Sequence, residues 1–167
     1  MKKIILFAAV LAAFLLVSKQ SNAQQADNYQ TAIGVKFGGY ENGFSLKYFT
    51  NNSVALEGVL GFRDHGVVIT GLYEFHQEVF GVHELRFYYG AGAHIGAEGS
   101  GTYQTFDGSN QVYTGGHILL GVDGVLGLEY KIPEAPVAIS LDLNPRAELA
   151  TGPFFDIAPG LGLKYTF

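Results

Sequence analysis

The chain has five histidines, fifteen acidic residues and no cysteine, so any chemistry it performs must be built from imidazole, hydroxyl and carboxylate groups. His94 and His117 lie on either side of a Gly- and Ser-rich stretch. If they occupy adjacent antiparallel strands, both point to the same side, where they could share a metal or supply a base. Ser45 and Ser140 fall on that same side, but their spacing suggests no partnership with either histidine, so no nucleophile–base pair is assigned. His76 and His83, with Glu78 and Glu84, read as solvated residues around a turn. Gly90-Ala91-Gly92-Ala93-His94-Ile95-Gly96 imitates a dinucleotide fingerprint with its third glycine one place late. With no helix pattern after it, it reads as strand glycine. No catalytic residue, metal site or cofactor is expected.

The elements that would hold these residues follow a period of two. Ile33, Val35 and Phe37 alternate with Gly34, Lys36 and Gly38, and Phe44, Leu46 and Tyr48 with Ser45 and Lys47. Val54, Leu56, Leu60 and Phe62 oppose Glu57, and Val67, Ile69, Tyr73 and Phe75 oppose Thr70 and Glu74. The second half repeats the pattern over longer segments, Leu85 to Ile95, Ile118 to Ile132, Val137 to Leu143 and Phe155 to Phe167. Successive side chains of a strand point to opposite faces, so this is an all-β chain of eight amphipathic strands.

Ahead of them, Lys2 and Lys3, the uncharged apolar run Ile4 to Val17 and the small residues Ser21-Asn22-Ala23 form the pattern of a secretory signal peptide. The expected division is a leader over 1–23, cleaved after Ala23, and one domain over 24–167. Without Lys2, Lys3 and Lys19 the domain keeps seven basic residues against fifteen acidic ones. That balance argues against nucleic acid as a partner. The lack of cysteine excludes a disulfide framework, a Cys-based zinc site and a lipidated cysteine.

Alternation fits a soluble barrel, a sandwich or a membrane barrel, and the two faces discriminate between them. One face carries Leu, Ile, Val, Phe and Tyr on every strand, more than an eight-stranded interior can hold. The other is mostly Gly, Ala, Ser and Thr with single charges, suited to a crowded lumen. Tyr29, Phe62, Phe75, Phe87, Phe155, Tyr165 and Phe167 gather near strand ends, as the aromatic girdles of membrane barrels do. The expected fold is therefore an eight-stranded antiparallel up-and-down transmembrane β-barrel with its apolar face outward.

Leu161, Leu163, Tyr165 and Phe167 alternate up to a terminal Phe, which resembles the last-strand signal read by the outer-membrane assembly machinery of Gram-negative bacteria. Over residues 29–167 the chain looks like the small barrels of the OmpA-transmembrane-domain and OmpX class. The resemblance rests on strand count and this terminus, with Leu163, Tyr165 and Phe167 as the assembly signal. No counterpart of OmpA's periplasmic peptidoglycan-binding domain is expected. The resemblance implies an outer-membrane location, outer-membrane lipids, lipopolysaccharide and the assembly machinery as partners, and a structural or surface-interaction role. Alternatives are a lipid-A-modifying enzyme, since such barrels place a His with Ser and an acidic residue on the wall, and a narrow pore.

With both termini periplasmic, Asn51-Asn52, Gln77 to Val82 and Pro133 to Pro136 become periplasmic turns. Tyr40–Gly43, Arg63–Gly66, Gly96–Gly115 and Arg146–Pro153 become extracellular loops. The third is the long one, and Tyr103, Phe106 and Tyr113 within it are the candidate contacts for an extracellular ligand. Inward positions hold Lys36, Lys47, Glu57, Glu74, Arg86, Asp123, Glu129, Lys131, Asp142, Asp156 and Lys164. Charges in so narrow a lumen must pair. Five cations against six anions predict a plug of mutual pairs, with Arg86 holding a carboxylate, and a small side chain at the inward Gly127 should be tolerated.

Overall fold

The computed structural model describes residues 29–38, 42–63, 65–104, 108–150 and 154–167. The leader over 1–23, Tyr40, Phe106 and residues 151–153 of the fourth loop lie outside them. The strands are β1 (Thr31–Gly38), β2 (Asn42–Asn51), β3 (Val54–Arg63), β4 (Gly66–Val79), β5 (Val82–Glu98), β6 (Gly101–Gln104), β7 (Asn110–Tyr113), β8 (His117–Lys131), β9 (Val137–Glu148) and β10 (Phe154–Thr166). The eight long strands close in the order β1-β10-β9-β8-β5-β4-β3-β2, and β2 pairs back onto β1. Every neighbouring pair is antiparallel. The up-and-down barrel expected from the alternation is the fold.

Closure follows from the backbone. An open sheet would leave the N–H and C=O groups of β1 and β10 unpaired at its edges. Here they satisfy each other from Ala32↔Thr166 to Gly38↔Gly160. The alternating side chains separate as read: Lys36, Ser45, Lys47, Glu57, Glu74 and Lys164 are buried, while Phe37, Phe44, Leu46, Leu56, Tyr73 and Leu163 are exposed on the outer wall.

The connections at Asn51-Asn52, Arg63–Gly66 and Pro133–Pro136 fall between strands as expected, and three others differ. β4 runs on to Val79 and turns through Phe80-Gly81 alone, both residues at positive φ (58° and 68°), the geometry of a two-residue hairpin turn. His76, read as a turn residue, is therefore inside the barrel and buried. The long loop contains strand structure: β5 extends to Glu98, and β6 and β7 form a separate hairpin from Gly101↔Tyr113 to Gln104↔Asn110. β9 continues through Pro145 to Glu148, which carries Arg146 and Glu148 into the lumen and out of the loop expected from Arg146 onward.

Inward glycines make room for the charges. A Cβ on Gly127 would lie 2.7 Å from the Tyr88 ring, from Asp142 Cβ and from the Leu141 carbonyl. The tolerance expected at Gly127 is therefore wrong: the site is already filled by Tyr88. A Cβ on Gly121 would similarly meet Ala147 O at 2.2 Å and His94 Cε1 at 2.5 Å.

Candidate functional site: the charged interior

Two polar clusters occupy the lumen. In the first, Lys47 Nζ lies 3.1 Å from Glu57, 2.8 Å from Glu74 and 3.1 Å from Glu129, and 4.4 Å above the Tyr88 ring. Lys164 Nζ contacts Glu57 at 3.1 Å and Glu129 at 3.8 Å. Hydroxyls complete the carboxylates: Ser45 donates to Glu57 and Tyr29 to Glu129. His76 Nε2 lies 3.0 Å from Glu74. Tyr88 donates to Asp142 at 2.6 Å, and Lys36 Nζ reaches both Asp142 and Asn144 at 3.2 Å. Buried ions persist only when their charge and remaining lone pairs are both met, and this arrangement meets most of them.

The second cluster lies toward the end of the barrel that carries the β6–β7 hairpin. His94 sits between two carboxylates, with Asp123 2.7 Å from Nδ1 and Glu148 3.0 Å from Nε2. Arg146 donates from Nε to Asp123 and from a terminal nitrogen to Thr70 at 3.1 Å. The second oxygen of Glu148 accepts from the Leu120 backbone N–H at 2.8 Å and that of Ala150 at 3.4 Å. Both His94 nitrogens are thus within hydrogen-bond distance of a carboxylate oxygen, which fixes the ring between β8 and β9. Asp156 accepts from the Ile157 backbone N–H at 2.8 Å.

An apolar layer separates the clusters. On β4, Leu72 comes between Thr70 and Glu74, on β8 Val125 comes between Asp123 and Glu129, and Val59 and Ala158 add to the layer from β3 and β10. All four are buried, and Leu72, Val125 and the Tyr88 ring touch. The cavity at this level, lined by Lys36, Val59, Leu72, Asn144 and Ala158 among others, holds only about 40 Å³.

Several expected members stand elsewhere. Lys131 is at the lumen mouth, where its ammonium donates to the carbonyls of Ile132 (3.1 Å) and Ala135 (2.6 Å). Arg86 is buried and inward, but it covers the Phe49 ring at 5.5 Å instead of holding a carboxylate. His94 and His117 do not converge: His94 pairs in register with Gly121, whereas His117 pairs with Glu98 four positions along. His117 stacks on Tyr113 at 3.8 Å between ring centres, and Glu98 also binds Arg63 at 3.3 Å. Burial and the nearby carboxylates of Glu148 and Glu98 raise the Tyr113 phenol above its usual value. Tyr113 thus packs within the hairpin base, and the exposed apolar residue of β7 is Val112. Tyr103 lies on β6. At the chain's end, Phe167 donates to the Thr31 carbonyl at 2.8 Å and packs its exposed ring 4.9 Å from that of Tyr165. Leu163 and Phe167 are exposed on the outer wall. Among the described residues no group of three or more His, Cys, Asp and Glu is arranged to hold a metal ion.

These features define a closed eight-stranded barrel of inverted polarity, apolar outside and ionic inside. No family model matches the chain and no curated protein matches it. Among solved structures, the crystal structure of Neisserial surface protein A (NspA) is similar, with 12% sequence identity over 83% of this chain and 95% of that chain and a TM-score of 0.48.

Proposed function

We propose that this chain is an outer-membrane barrel protein of a Gram-negative bacterium, with a plugged lumen and a structural or surface-interaction role rather than a catalytic one. The observation that carries the reading is the outer wall. Every barrel strand exposes at least two large apolar side chains, for example Ile33 and Phe37 on β1, Leu141 and Leu143 on β9 and Leu161 and Leu163 on β10. Water-soluble monomers rarely expose contiguous apolar patches beyond a few hundred Å², whereas a lipid-embedded barrel requires such a band. A strand barrel also leaves no unpaired backbone group toward lipid.

Within that reading the paired charges and the layer of Leu72, Val125 and Val59 favour a plug over a conduction path. The β6–β7 hairpin, with Val112 exposed on it, is the element presented to extracellular partners, and the alternating Leu163, Tyr165 and Phe167 serve the assembly machinery. Neither His94 nor His117 has a serine hydroxyl among the partners described above, which favours a binding or structural role over lipid modification. The test is membrane fractionation of producing cells, followed by gel migration with and without heating. A folded membrane barrel stays in the outer-membrane fraction and migrates differently before and after boiling. Recovery as a water-soluble protein with no heat-dependent shift would overturn the reading.

A further inference from the structure

Among the described residues, Arg86 differs from the other buried inward cations in having no carboxylate within ion-pair distance. It is 94% buried, with a relative exposure of 6%, and its one contact among the described residues is the Phe49 ring. Two carboxylates are its neighbours by register, Glu78 on β4 and Glu129 on β8, and both are turned elsewhere. Glu78 lies 2.8 Å from His83 on the surface, and the oxygens of Glu129 are taken by Tyr29 and by Lys47 and Lys164. Glu84, two residues before Arg86 on the same face of β5 and half-buried, makes no ion pair with it among the described residues, and Glu74 pairs with Gly90, four positions further along the β4–β5 ladder. The rings of His76 and Tyr88 stand between them, stacked 4.9 Å apart, and Phe49 packs on His76 at 4.8 Å. Aromatic side chains thus stand between Arg86 and Glu74, while Glu129 faces it across the β5–β8 ladder with its oxygens held by other partners.

Against Arg86 is a cavity of about 200 Å³, lined also by Tyr29, Gln30, Phe49, Thr50, Asn51 and Asn52, at the mouth where the chain enters β1 and where β2 turns into β3. Its volume is about five times that of the cavity in the apolar layer. A guanidinium has five N–H donors in a planar fork suited to two oxygens of one anion, and none of the Arg86 nitrogens is among the buried polar atoms without a partner, so its donors are reached from the cavity. The amide-bearing Gln30, Asn51 and Asn52 offer further N–H donors at the rim. Asn51 spends its carbonyl on the Ser53 N–H, and Gln30 donates one N–H to Tyr48 at 3.3 Å. The wall therefore combines a buried cation, amide groups and an aromatic base, and none of the described lining residues carries a side-chain carboxylate.

We propose that this cavity is a binding site for a small oxyanion, a phosphate or carboxylate group held in bidentate fashion by Arg86 and met at the rim by the Asn51 and Asn52 amides. The site depends on the barrel's geometry and not on which membrane surrounds it. The group can come from a soluble anion or from a lipid headgroup, and the two sources separate by experiment.

The mature chain, folded in micelles of a non-ionic detergent, is titrated with inorganic phosphate, with acetate and, in a separate arm, with phosphatidic acid at a few mole per cent. The readouts are the NMR signal of the Arg86 side-chain N–H and the unfolding midpoint in urea. Saturable shifts in the phosphate or acetate arm assign a soluble anion, and shifts only in the lipid arm assign a headgroup; either supports the site. Arg86→Gln should abolish the response, and Asn52→Asp, on an exposed turn and compatible with folding, should abolish it by placing a carboxylate at the pocket wall. No saturable response in any arm overturns the proposal, as does an unchanged response in Asn52→Asp or in a folded Arg86→Gln protein. Binding that appears only in an Asp27→Asn variant would mean that the chain's own carboxylate occupies the guanidinium, and would also overturn it.

Discussion

Replacing Lys47 with Met removes the cation on which three carboxylates converge while nearly conserving side-chain volume. Its three contacts, at 2.8 to 3.1 Å, are each worth about 5 kcal/mol at an effective dielectric of about 20, and against this sum stands the ammonium's desolvation, several kcal/mol. The carboxylates are not equally stranded by the change. Glu57 and Glu129 keep Lys164, whereas Glu74 keeps only His76 and already has one buried oxygen with no hydrogen-bond partner. The net loss should therefore fall near that of breaking one buried pair, about 3–5 kcal/mol, and not at the sum of three. Urea unfolding of the barrel in lipid vesicles, followed by heat-dependent gel migration, measures it. Adding Glu74→Gln to Lys47→Met should restore part of the loss, because it removes the most exposed consequence of the missing cation. A midpoint for Lys47→Met within about 1 kcal/mol of wild type would refute the argument that buried charges here are mutually dependent. So would single-channel current through a stable Lys47→Met barrel, since it would show that the charges line a path.

Leu126→Arg, on the outward face of β8, should cost about 2–4 kcal/mol by placing a charge near mid-membrane, while Val112→Arg on the exposed hairpin should cost almost nothing; equal effects in vesicle-unfolding measurements would contradict the lipid-facing belt. His94→Leu should leave Asp123 and Glu148 facing an apolar side chain and free the end of β9, which Glu148 ties to the Leu120 N–H. Faster amide exchange at Leu120 and Leu149 than at Leu141 is the expected signature, and uniform exchange along β9 would argue against the tie. Deleting Phe167 removes its hydrogen bond to Thr31 and the aromatic end of the assembly signal, so outer-membrane levels in producing cells should fall; normal levels would discard that role for the terminus.

What the sequence determined by itself was which side of the wall each residue faces. The pleat has a period of two whatever surrounds it, so Lys36, Glu57, Asp123 and Lys164 could be placed inward, and Leu46, Leu126 and Phe155 outward, from order alone. The number of strands followed from the same count. Strand ends were less legible. Asn144-Pro145-Arg146 has the composition of a turn, yet β9 runs through it, with Pro145 paired to Ile157, because the ladder on both sides outweighs one missing donor. The burial of His76 was hidden for a related reason: a turn of only Phe80-Gly81 leaves β4 long enough to carry it inside.

Only the tertiary structure decided which charges meet. Lys47 and Glu129 are 82 residues apart, Lys164 and Glu57 are 107 apart, and Tyr29 and Glu129 are 100 apart. Alternation assigns a residue to a face but not to a height or an angle around the barrel; those depend on the register and closure of all eight strands together. For that reason the balance of inward charges suggested that Arg86 would be paired like the rest. The register set it opposite Glu78 and Glu129, but other partners take the oxygens of both, so it covers the Phe49 ring and faces a cavity, while Arg146, counted as loop, took the place beside Asp123.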